Sequence, residues 1–420
     1  MKRRILLLLT AIVLCFLAIT AISCGQNEKI VLNVYNWGEY ISDGTDDSLD
    51  VNAAFEEYCS EQGLDVEVNY MMFDSNESMY NKIKTGAVSY DVVIPSDYMV
   101  ARMIAEDMLE PLNFENIPNY KYVDPVYTHK YYDPYQIYSV PYFVGVVGII
   151  YNTKHVDPST EEDVINKSWD LLWNEKYSGK ILQFNNARDA FGTALFRQGK
   201  SVNLTDEAVW RSALADLKAQ KPLLQAYVMD EIFNKMETGS AWIAPYYAGD
   251  FLAMYEENPD LDFYIPSGGT NVFADAMCIP KDEGRDPQTK KVAEMYINFM
   301  LEKDIGAANS EFVYYSTPNT LVNSDAEYNE YMESIYEGAI ENVIAPQFPE
   351  GYNLEYYHNF DDETLIMVNS LWEELKIDSG TDDGSVADVG VYVTCAVIVV
   401  AVAAGFTVRY IIHRKRRKYY

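Results

Sequence analysis

The chain has 420 residues and a formal net charge of −32 at pH 7, and 49% of its residues are hydrophobic and 14% aromatic. Such an acidic chain argues against a nucleic-acid partner and favours cationic ones, while the hydrophobic and aromatic content excludes a disordered acidic chain. The length allows roughly two to three domains with ample core.

The N-terminus has the pattern of an export signal. Lys2, Arg3 and Arg4 precede an apolar run that closes at Ser23 and Cys24. Small residues before a cysteine resemble a bacterial lipobox, so residues 1–24 are predicted to be a lipoprotein signal peptide with Cys24 as the lipidated residue. An ordinary signal peptide and an uncleaved anchor helix remain the alternatives.

The first predicted strand lies in Val31–Tyr40 and ends in a loop with site-like chemistry. After the turn-forming Asn36, the loop carries Trp37, Glu39 and Tyr40. Flat aromatic faces beside a carboxylate suit an organic cation, whose charge pairs with the acid while its carbon chain lies on the rings. The alternative is an exposed acidic loop with one aromatic side chain packed in the core.

Helix and strand signals then alternate. The pattern predicts a helix over Asp50–Ser60, a strand over Val66–Tyr70, a helix through Met79 and a strand over Tyr90–Ser96. The order of strand, helix, strand, helix and strand predicts a largely parallel sheet with ligand-binding loops at the carboxyl ends of its strands. The second such loop is Pro95–Tyr98.

The middle of the chain begins with a Tyr- and Pro-rich stretch, residues 118–142, that shows little periodicity. Beyond it the pattern predicts a continuation of alternating elements. Apolar or alternating runs predict strands at 144–151, 180–184, 242–244, 263–266 and 272–280, and helical patterns occur at 169–173, after 185–189, and at 205–217, 230–238, 290–301 and 364–375.

The C-terminus predicts a membrane anchor. A linker at 379–388 leads to residues 389–412, which begin with 20 residues free of charge, and a basic tail follows at 413–420. Such a run is long enough to cross the ~30 Å hydrocarbon layer, and the basic tail places the body of the protein outside the cell. A buried core helix is the alternative. Without the terminal segments the net charge is about −40.

Motifs for catalysis or metal binding are missing from the sequence. Cys59 and Cys278 are the cysteines left for the exported body, and their spacing cannot establish whether they pair. The chain contains no C-x-x-C, no H-E-x-x-H, no G-x-S-x-G and no phosphate-binding glycine motif. We therefore predict no enzyme activity, no cofactor and no metal site.

Several predicted strand ends share one composition, aromatic residues beside an acid. If the chain forms two α/β lobes, these loops can converge on the cleft between them. They are Trp37/Glu39/Tyr40, Ser96/Asp97/Tyr98, Arg188/Asp189, Tyr246/Tyr247/Asp250, Phe273/Asp275 and Tyr314/Tyr315.

The chain resembles the bacterial spermidine/putrescine-binding proteins, the substrate-binding components of polyamine ABC transporters. The segments that carry this resemblance are Tyr35–Tyr40, Ser75–Tyr80, Tyr90–Ser96, Ser139–Tyr142, Ala187–Arg188 and Ser316–Asn319. The resemblance implies an α/β, two-lobed type II periplasmic-binding-protein fold with the ligand cleft between the lobes. It assigns residues 25–145 and 274–318 to lobe 1, and residues 146–273 and 319–378 to lobe 2.

The same resemblance implies which residues contact the ligand, position by position. They are Trp37, Glu39, Tyr40, Ser96, Tyr98, Asp189, Tyr246, Phe273, Asp275 and Tyr315. Phe273 and Tyr246 stand where the family has Trp, Asn186 stands at a family Asp, and His358 weakly matches a family Gln. The loss of a carboxylate at Asn186 leaves putrescine and spermidine equally plausible ligands.

These features predict a monomeric, membrane-anchored receptor on the extracytoplasmic face of the bacterial membrane. It is expected to capture a polyamine and deliver it to an ABC permease. Two alternatives stay open: a ferric-ion or other small-cation binder of the same fold, with the Tyr pairs at 246–247 and 314–315 as metal ligands, and a membrane-anchored sensor or adhesin.

Overall fold

A computed structural model describes residues 29–86 and 88–377. The predicted signal peptide with Cys24, the linker at 379–388, the membrane helix at 389–412 and the basic tail at 413–420 lie outside the described residues. Within the described ranges, no helix has both the length and the apolar character that crossing a membrane requires.

A mixed β-sheet forms the centre of the described chain, in the order β2-β1-β3-β9-β4-β7-β5-β6, with β10 paired to β9 and β8 paired to β4. The strands are β1 (Ile30–Trp37), β2 (Val66–Phe73), β3 (Val92–Val93), β4 (Ser139–Asn152), β5 (Ile181–Phe184), β6 (Leu224–Val228), β7 (Ile243–Tyr247), β8 (Leu261–Tyr264), β9 (Thr270–Cys278) and β10 (Leu354–Glu355).

Helices connect and cover these strands. They are α1 (Val51–Glu61), α2 (Asn76–Lys84), α3 (Asp97–Ala105), α4 (Glu162–Ile165), α5 (Ala187–Arg197), α6 (Glu207–Gln220), α7 (Glu231–Glu237), α8 (Ala248–Glu257), α9 (Pro287–Met300), α10 (Lys303–Val313), α11 (Thr320–Asn323), α12 (Ala326–Ile335) and α13 (Asp362–Ile377).

The parallel pairing predicted from the first three strands is confirmed. Strand β1 pairs in parallel with β2 and β3, and β5 pairs in parallel with β6 and β7. The sheet as a whole is mixed, because the long strand β4 runs antiparallel to β7, β8 and β9. This 14-residue strand pairs with neighbours on both sides, which no local pattern could reveal.

Strand β4 changes its partners midway along its length. From Ser139 to Val146 it pairs with β9, and from Val147 onward it pairs with β7 and β8. The sheet therefore has a first half built around β1–β3 and a second half built around β5–β8, and β4 and β9 belong to both. The ends of most predicted site segments lie along this junction.

Helix starts follow the capping chemistry of the sequence. Asp50 accepts a hydrogen bond from Ala53 N at 2.9 Å, and Ser75 accepts one from Ser78 N at 3.2 Å, so each residue caps the helix that follows it. The segment at 169–173 is a 3-10 helix rather than an α-helix. Helices α3, α4, α8, α10, α11 and α12 were not predicted from the sequence.

Two hydrophobic clusters lie within the first half of the sheet and its covering helices. One includes Phe55, Cys59 and Tyr296, and the other includes Met79, Met103 and Cys278. Both cysteine thiols are buried and unpaired. The disulfide that spacing left open does not form, because the two side chains belong to different clusters.

Candidate functional site

The loop after β1 buries Tyr40 against Tyr142 and Phe143 of β4 and leaves Glu39 exposed. Glu39 has a left-handed backbone, with φ of 49°, and this turn of the chain separates the exposed Glu39 side chain from the buried Tyr40 side chain. The Tyr40 carbonyl accepts a hydrogen bond from the hydroxyl of Tyr142 at 2.9 Å. Trp37, at the end of β1, is half-buried, and its ring lies 4.6 Å from that of Phe73.

Asp275, on β9, is a buried carboxylate that lacks a full set of partners. It is 4% exposed, and its Oδ2 accepts a hydrogen bond from the Tyr40 hydroxyl at 2.5 Å. Among the described residues, no group donates a hydrogen bond to its Oδ1. Burial raises its pKa to about 6, and the neighbouring Ser96 and Tyr40 side chains act in the opposite direction. A buried acceptor of this kind requires a donor from a ligand or water.

The start of α3 lies against Asp275. Ser96 forms an isolated antiparallel bridge with Asp275, and its N–H donates to Asn76 Oδ1 at 3.1 Å. The hydroxyl of Tyr98 donates to Glu77 at 3.0 Å and accepts from Asn76 at 3.1 Å. This segment therefore positions Ser96 at the carboxylate and turns Tyr98 toward α2.

Asp97, between those two predicted residues, is a second buried carboxyl in this region. It is 1% exposed, and its Oδ2 accepts a hydrogen bond from Ala274 N at 3.1 Å. Burial raises its pKa to about 8, and the charge of Asp275 adds to this effect. Asp97 therefore holds α3 onto β9.

Asp189, at the start of α5, accepts hydrogen bonds from three side chains. Asn186 donates to its Oδ2 at 2.7 Å, the Tyr247 hydroxyl donates to the same oxygen at 2.7 Å, and the Tyr357 hydroxyl donates to Oδ1 at 3.0 Å. Asn186 also caps the helix by accepting from Asp189 N at 2.9 Å. Burial raises the pKa of Asp189, and these three donors oppose that rise.

The segment from β7 into α8 provides two neighbouring tyrosines with different environments. Tyr246 is 2% exposed and its ring stacks on Phe184 at 5.4 Å. The Tyr247 ring also lies 5.4 Å from that of Phe184, but its hydroxyl donates to Asp189 and its ring is 5.5 Å from that of Phe273. The resemblance implies a contact at Tyr246, whereas Tyr247 has the more direct contacts with the other candidate residues.

Asp250, on α8, is a further buried carboxyl. It accepts a hydrogen bond from the Tyr315 hydroxyl at 2.8 Å. Burial raises its pKa to about 7, and the charges of Asp230 and Glu39 raise it further, whereas Tyr315 lowers it. The exposed Glu39 therefore belongs to the electrostatic environment of this group.

Aromatic rings join these carboxyls into one continuous site. Phe273 contacts Tyr247 and Tyr315, with ring centroids 5.5 and 6.1 Å away, and Tyr315 contacts Tyr40 at 5.2 Å. Gly145 permits the position of Phe273, since a Cβ on Gly145 would lie 2.5 Å from Phe273 Cζ. The result is an aromatic wall edged by Asp189, Asp250 and Asp275.

The structure thus brings together Tyr40, Ser96, Asp189, Phe273, Asp275 and Tyr315 through direct or shared contacts. Trp37 and Tyr98 contact their own neighbours, Phe73 and the residues of α2, and Tyr246 packs behind Tyr247. Asp97, Tyr247 and Asp250 are missing from the ten predicted contacts. The signal for them was present, since each lies in a loop that the aromatic-plus-acid pattern had selected.

Such a site suits an elongated organic cation. Buried carboxyls with raised pKa values gain most when an ammonium group pairs with them, and aromatic faces contact methylene chains and cations. In the described part of the chain, no group of three or more His, Cys, Asp and Glu side chains has the geometry to hold a metal ion.

Gly249 provides a test of the close packing behind this site. An added Cβ would lie 2.6 Å from Cδ2 of Tyr315, so Gly249→Ala must displace that ring. We expect the free energy of unfolding to fall by about 1 kcal/mol, because overpacking outweighs the better helix propensity of Ala. Urea denaturation measures this change.

Gly268→Ala is the matched control, since the nearest non-neighbouring atom to its added Cβ is the Phe196 carbonyl oxygen at 3.4 Å. Equal stability of the two variants would contradict the packing that we describe around Tyr315.

Comparisons with known proteins agree on one family. Residues 89–340 match the family described as bacterial extracellular solute-binding protein. The spermidine/putrescine-binding periplasmic protein of Escherichia coli (strain K12) is 31% identical over 306 residues, covering 72% of this chain and 82% of the relative.

Solved structures give the same result. A putative spermidine/putrescine ABC transporter protein from Listeria monocytogenes is 33% identical with a TM-score of 0.71, covering 83% of this chain and 99% of that one. The spermidine/putrescine ABC transporter substrate-binding protein PotD from Streptococcus pneumoniae is 31% identical with a TM-score of 0.64, covering 83% and 98%.

Proposed function

This chain belongs to the bacterial extracellular solute-binding proteins and, among them, to the spermidine/putrescine-binding group, and from that premise we propose that it captures a polyamine and delivers it to an ABC permease. The family consists of transport proteins that bind their substrates, so the chain is not an enzyme. The observation that carries the proposal is Asp275, a buried carboxylate with one free oxygen beside an aromatic wall.

In this proposal one ammonium group pairs with Asp275 and another with Asp189 or Asp250. The methylene chain lies between Trp37, Phe273 and the rings of Tyr247 and Tyr315. Tyr40 and Ser96 hold the Asp275 carboxylate, while Glu39 attracts the cation from solvent. Tyr98 and Tyr246 complete the ten predicted contacts. Tyr98 lies beside α2, and Tyr246 packs against Tyr247.

The lobes are part of the same proposal. Lobe 1 consists of residues 25–145 and 274–318, and lobe 2 of residues 146–273 and 319–378. The change of partners along β4 between Val146 and Val147 supports this boundary. Closing the lobes over the ligand excludes water and strengthens each ion pair.

We also propose how the protein is attached to the cell. Residues 1–24 are a lipoprotein signal peptide that yields lipidated Cys24, residues 389–412 form a second anchor, and the basic tail at 413–420 is cytoplasmic. The binding domain is then a monomer on the extracytoplasmic face, close to its permease.

The ferric-ion alternative is not favoured. Iron binding by tyrosine needs phenolates, but burial raises the pKa values of Tyr246, Tyr247 and Tyr315 well above the ordinary value. The hydroxyls of Tyr247 and Tyr315 already donate to Asp189 and Asp250. A sensor or adhesin would depend on the tail, which lies outside the described residues.

Isothermal titration calorimetry of the purified full chain with putrescine and spermidine tests the function. Binding with a micromolar or tighter Kd is the expected result, and glutamate, which carries the opposite charge pattern, serves as the control ligand. No heat with either polyamine, from a protein that unfolds cooperatively, would refute the proposal.

The affinity should depend on pH in a defined direction. The pKa values of Asp275 and Asp250 are raised to about 6 and about 7, so both are partly protonated near neutrality and must lose protons to pair with ammonium groups. The Kd for putrescine should therefore fall by roughly tenfold or more between pH 5.5 and pH 8. Titrations in buffers of different ionisation enthalpy should show protons released on binding. A Kd that rises over this interval would contradict the assignment.

The stability of the free protein should change in the opposite direction. A buried acid with a raised pKa stabilises the fold fully below the pKa of the unfolded chain, and that contribution is lost as the pH rises through the folded value. For Asp275, Asp250 and Asp97, with folded values of about 6, 7 and 8 against an ordinary value of 3.8, this loss extends from about pH 4 to about pH 8. The Tm without ligand should fall over that range, and putrescine should raise it most at pH 8.

A further inference from the structure

Tyr131 lies between the two lobes, in the segment before β4. Its ring is edge-on to that of Tyr132 at 5.6 Å and packs against the cluster that includes Met79 and Met103. On its other side it lies 4.4 Å from the ring of His358. Tyr131 therefore belongs to the first half of the sheet but contacts the segment after β10.

The hydroxyl of Tyr131 has two acceptors and one proton. It lies 3.1 Å from Asp97 Oδ1 and donates to the carbonyl oxygen of Tyr357. A carbonyl oxygen cannot donate, whereas a carboxyl group can when it is protonated. One phenolic proton can serve both acceptors only as a shared, three-centre hydrogen bond, whereas two full hydrogen bonds require Asp97 to provide the second proton.

Tyr357 connects this bridge to the candidate site. Its hydroxyl lies 3.0 Å from Oδ1 of Asp189 and 3.2 Å from the carbonyl oxygen of Arg188. Tyr357 thus accepts the hydrogen bond of Tyr131 through its carbonyl oxygen and orients Asp189 through its hydroxyl. A contact that holds the Tyr357 backbone therefore influences the position of the Asp189 carboxylate.

We propose that Tyr131 is a positioning residue for ligand capture, which joins a protonated Asp97 in lobe 1 to the Tyr357 carbonyl in lobe 2 and so holds Asp189 against the bound cation. This inference rests on the proposed function, and it adds to it a bridge that forms when the cleft closes. An ionised Asp97 leaves the two acceptors to compete for one phenolic proton, which weakens the bridge.

Several titratable groups face this bridge. Asp97 faces Asp275 on β9 and interacts with Tyr132 and Tyr356, while Tyr131 faces Arg188, on α5, and the His358 ring. Burial is the largest cause of the raised pKa of Asp97, about 8. The bridge should therefore be complete near neutral pH and weaken in alkaline solution. This pH dependence is opposite to that of Asp275 and Asp250, which should pair with ammonium groups more strongly as the pH rises.

Stopped-flow fluorescence of the purified full chain tests the bridge, with putrescine as the ligand. Tyr131→Phe should raise the dissociation rate constant koff by roughly five- to tenfold while kon changes by less than about twofold, since the bridge forms after the ligand enters. Tyr132→Phe is the matched control. Its hydroxyl is buried without a hydrogen-bond partner among the described residues, so koff should not change.

Wild-type binding separates the two hypotheses. If the wild-type chain binds putrescine but Tyr131→Phe leaves koff unchanged, the bridge is refuted and the proposed function stands. If the wild-type chain binds neither putrescine nor spermidine, the proposed function fails and the bridge fails with it.

The pH dependence distinguishes a proton-linked bridge from simple packing. The ratio of koff in Tyr131→Phe to koff in the wild type should be largest at pH 6.5 and approach one at pH 9. An equal ratio at both pH values would overturn the role of Asp97. His358→Gln should keep the pH dependence of this ratio, and its disappearance in that variant would assign the titration to the imidazole instead.

Discussion

Replacing Asp275 with Asn should weaken putrescine binding by about 2–4 kcal/mol, or roughly 30- to 1000-fold in Kd. In the wild type the Tyr40 hydroxyl lies 2.5 Å from Oδ2 of Asp275. The variant keeps an amide oxygen that can accept this hydrogen bond, but it loses the charge that pairs with an ammonium group. Calorimetry with putrescine measures the loss.

The same substitution should not destabilise the free protein. The buried carboxyl of Asp275 has a raised pKa, about 6, so the folded state disfavours its charged form and a neutral amide removes that cost. The Tm of the variant at pH 8 should equal or exceed that of the wild type. Glu283→Gln, an exposed charge removal nearby in sequence, controls for the change in net charge. Equal losses of affinity in the two variants would show a general field effect rather than an ion pair at Asp275.

Replacing Trp37 with Ala should weaken binding by on the order of 1–3 kcal/mol, about tenfold or more, as expected for an aromatic anchor. The ring is half-buried at the end of β1, and its Nε1 lacks a hydrogen-bond partner within the described ranges. It contacts Phe73 and packs against both hydrophobic clusters, and we propose that its exposed part contacts the polymethylene chain.

Trp37→Phe should recover part of the affinity, because a flat ring remains. Trp242→Ala is the matched control, since it removes a half-buried Trp directly before β7 that stacks on His155 at 4.0 Å. Unchanged putrescine affinity in Trp37→Ala would exclude this ring from the site and leave it a packing role against Phe73.

The sequence selected most of the segments whose side chains the structure brings together, and their role as ligand contacts stays a prediction. Aromatic residues beside an acid at strand ends selected the segments around Tyr40, Ser96, Asp189, Asp275 and Tyr315, which the structure brings together. The predicted helices over Asp50–Ser60 and through Met79 correspond to α1 and α2, which Asp50 and Ser75 cap. These features are local, because a cap or a strand end depends on residues within a few positions of each other.

The choice between Tyr246 and Tyr247 shows where local reasoning ends. Both lie in β7, have the same side chain and place their rings 5.4 Å from that of Phe184, but the hydroxyl that donates to Asp189 is that of Tyr247. A shift of one residue reverses the face of a strand, so only the register of β7 with β4 decides which tyrosine enters the site.

The sequence by itself determined the chemistry of this protein: acidity, strand-end aromatics and carboxylates, and the pattern of an exported binding protein. Only the tertiary structure decided how that chemistry is used. The antiparallel course of β4 and β9, the burial that raises the pKa values of Asp97, Asp250 and Asp275, and the Tyr131 bridge all depend on residues distant in sequence. Burial and proton sharing arise from packing between such segments, so no window of sequence could contain them.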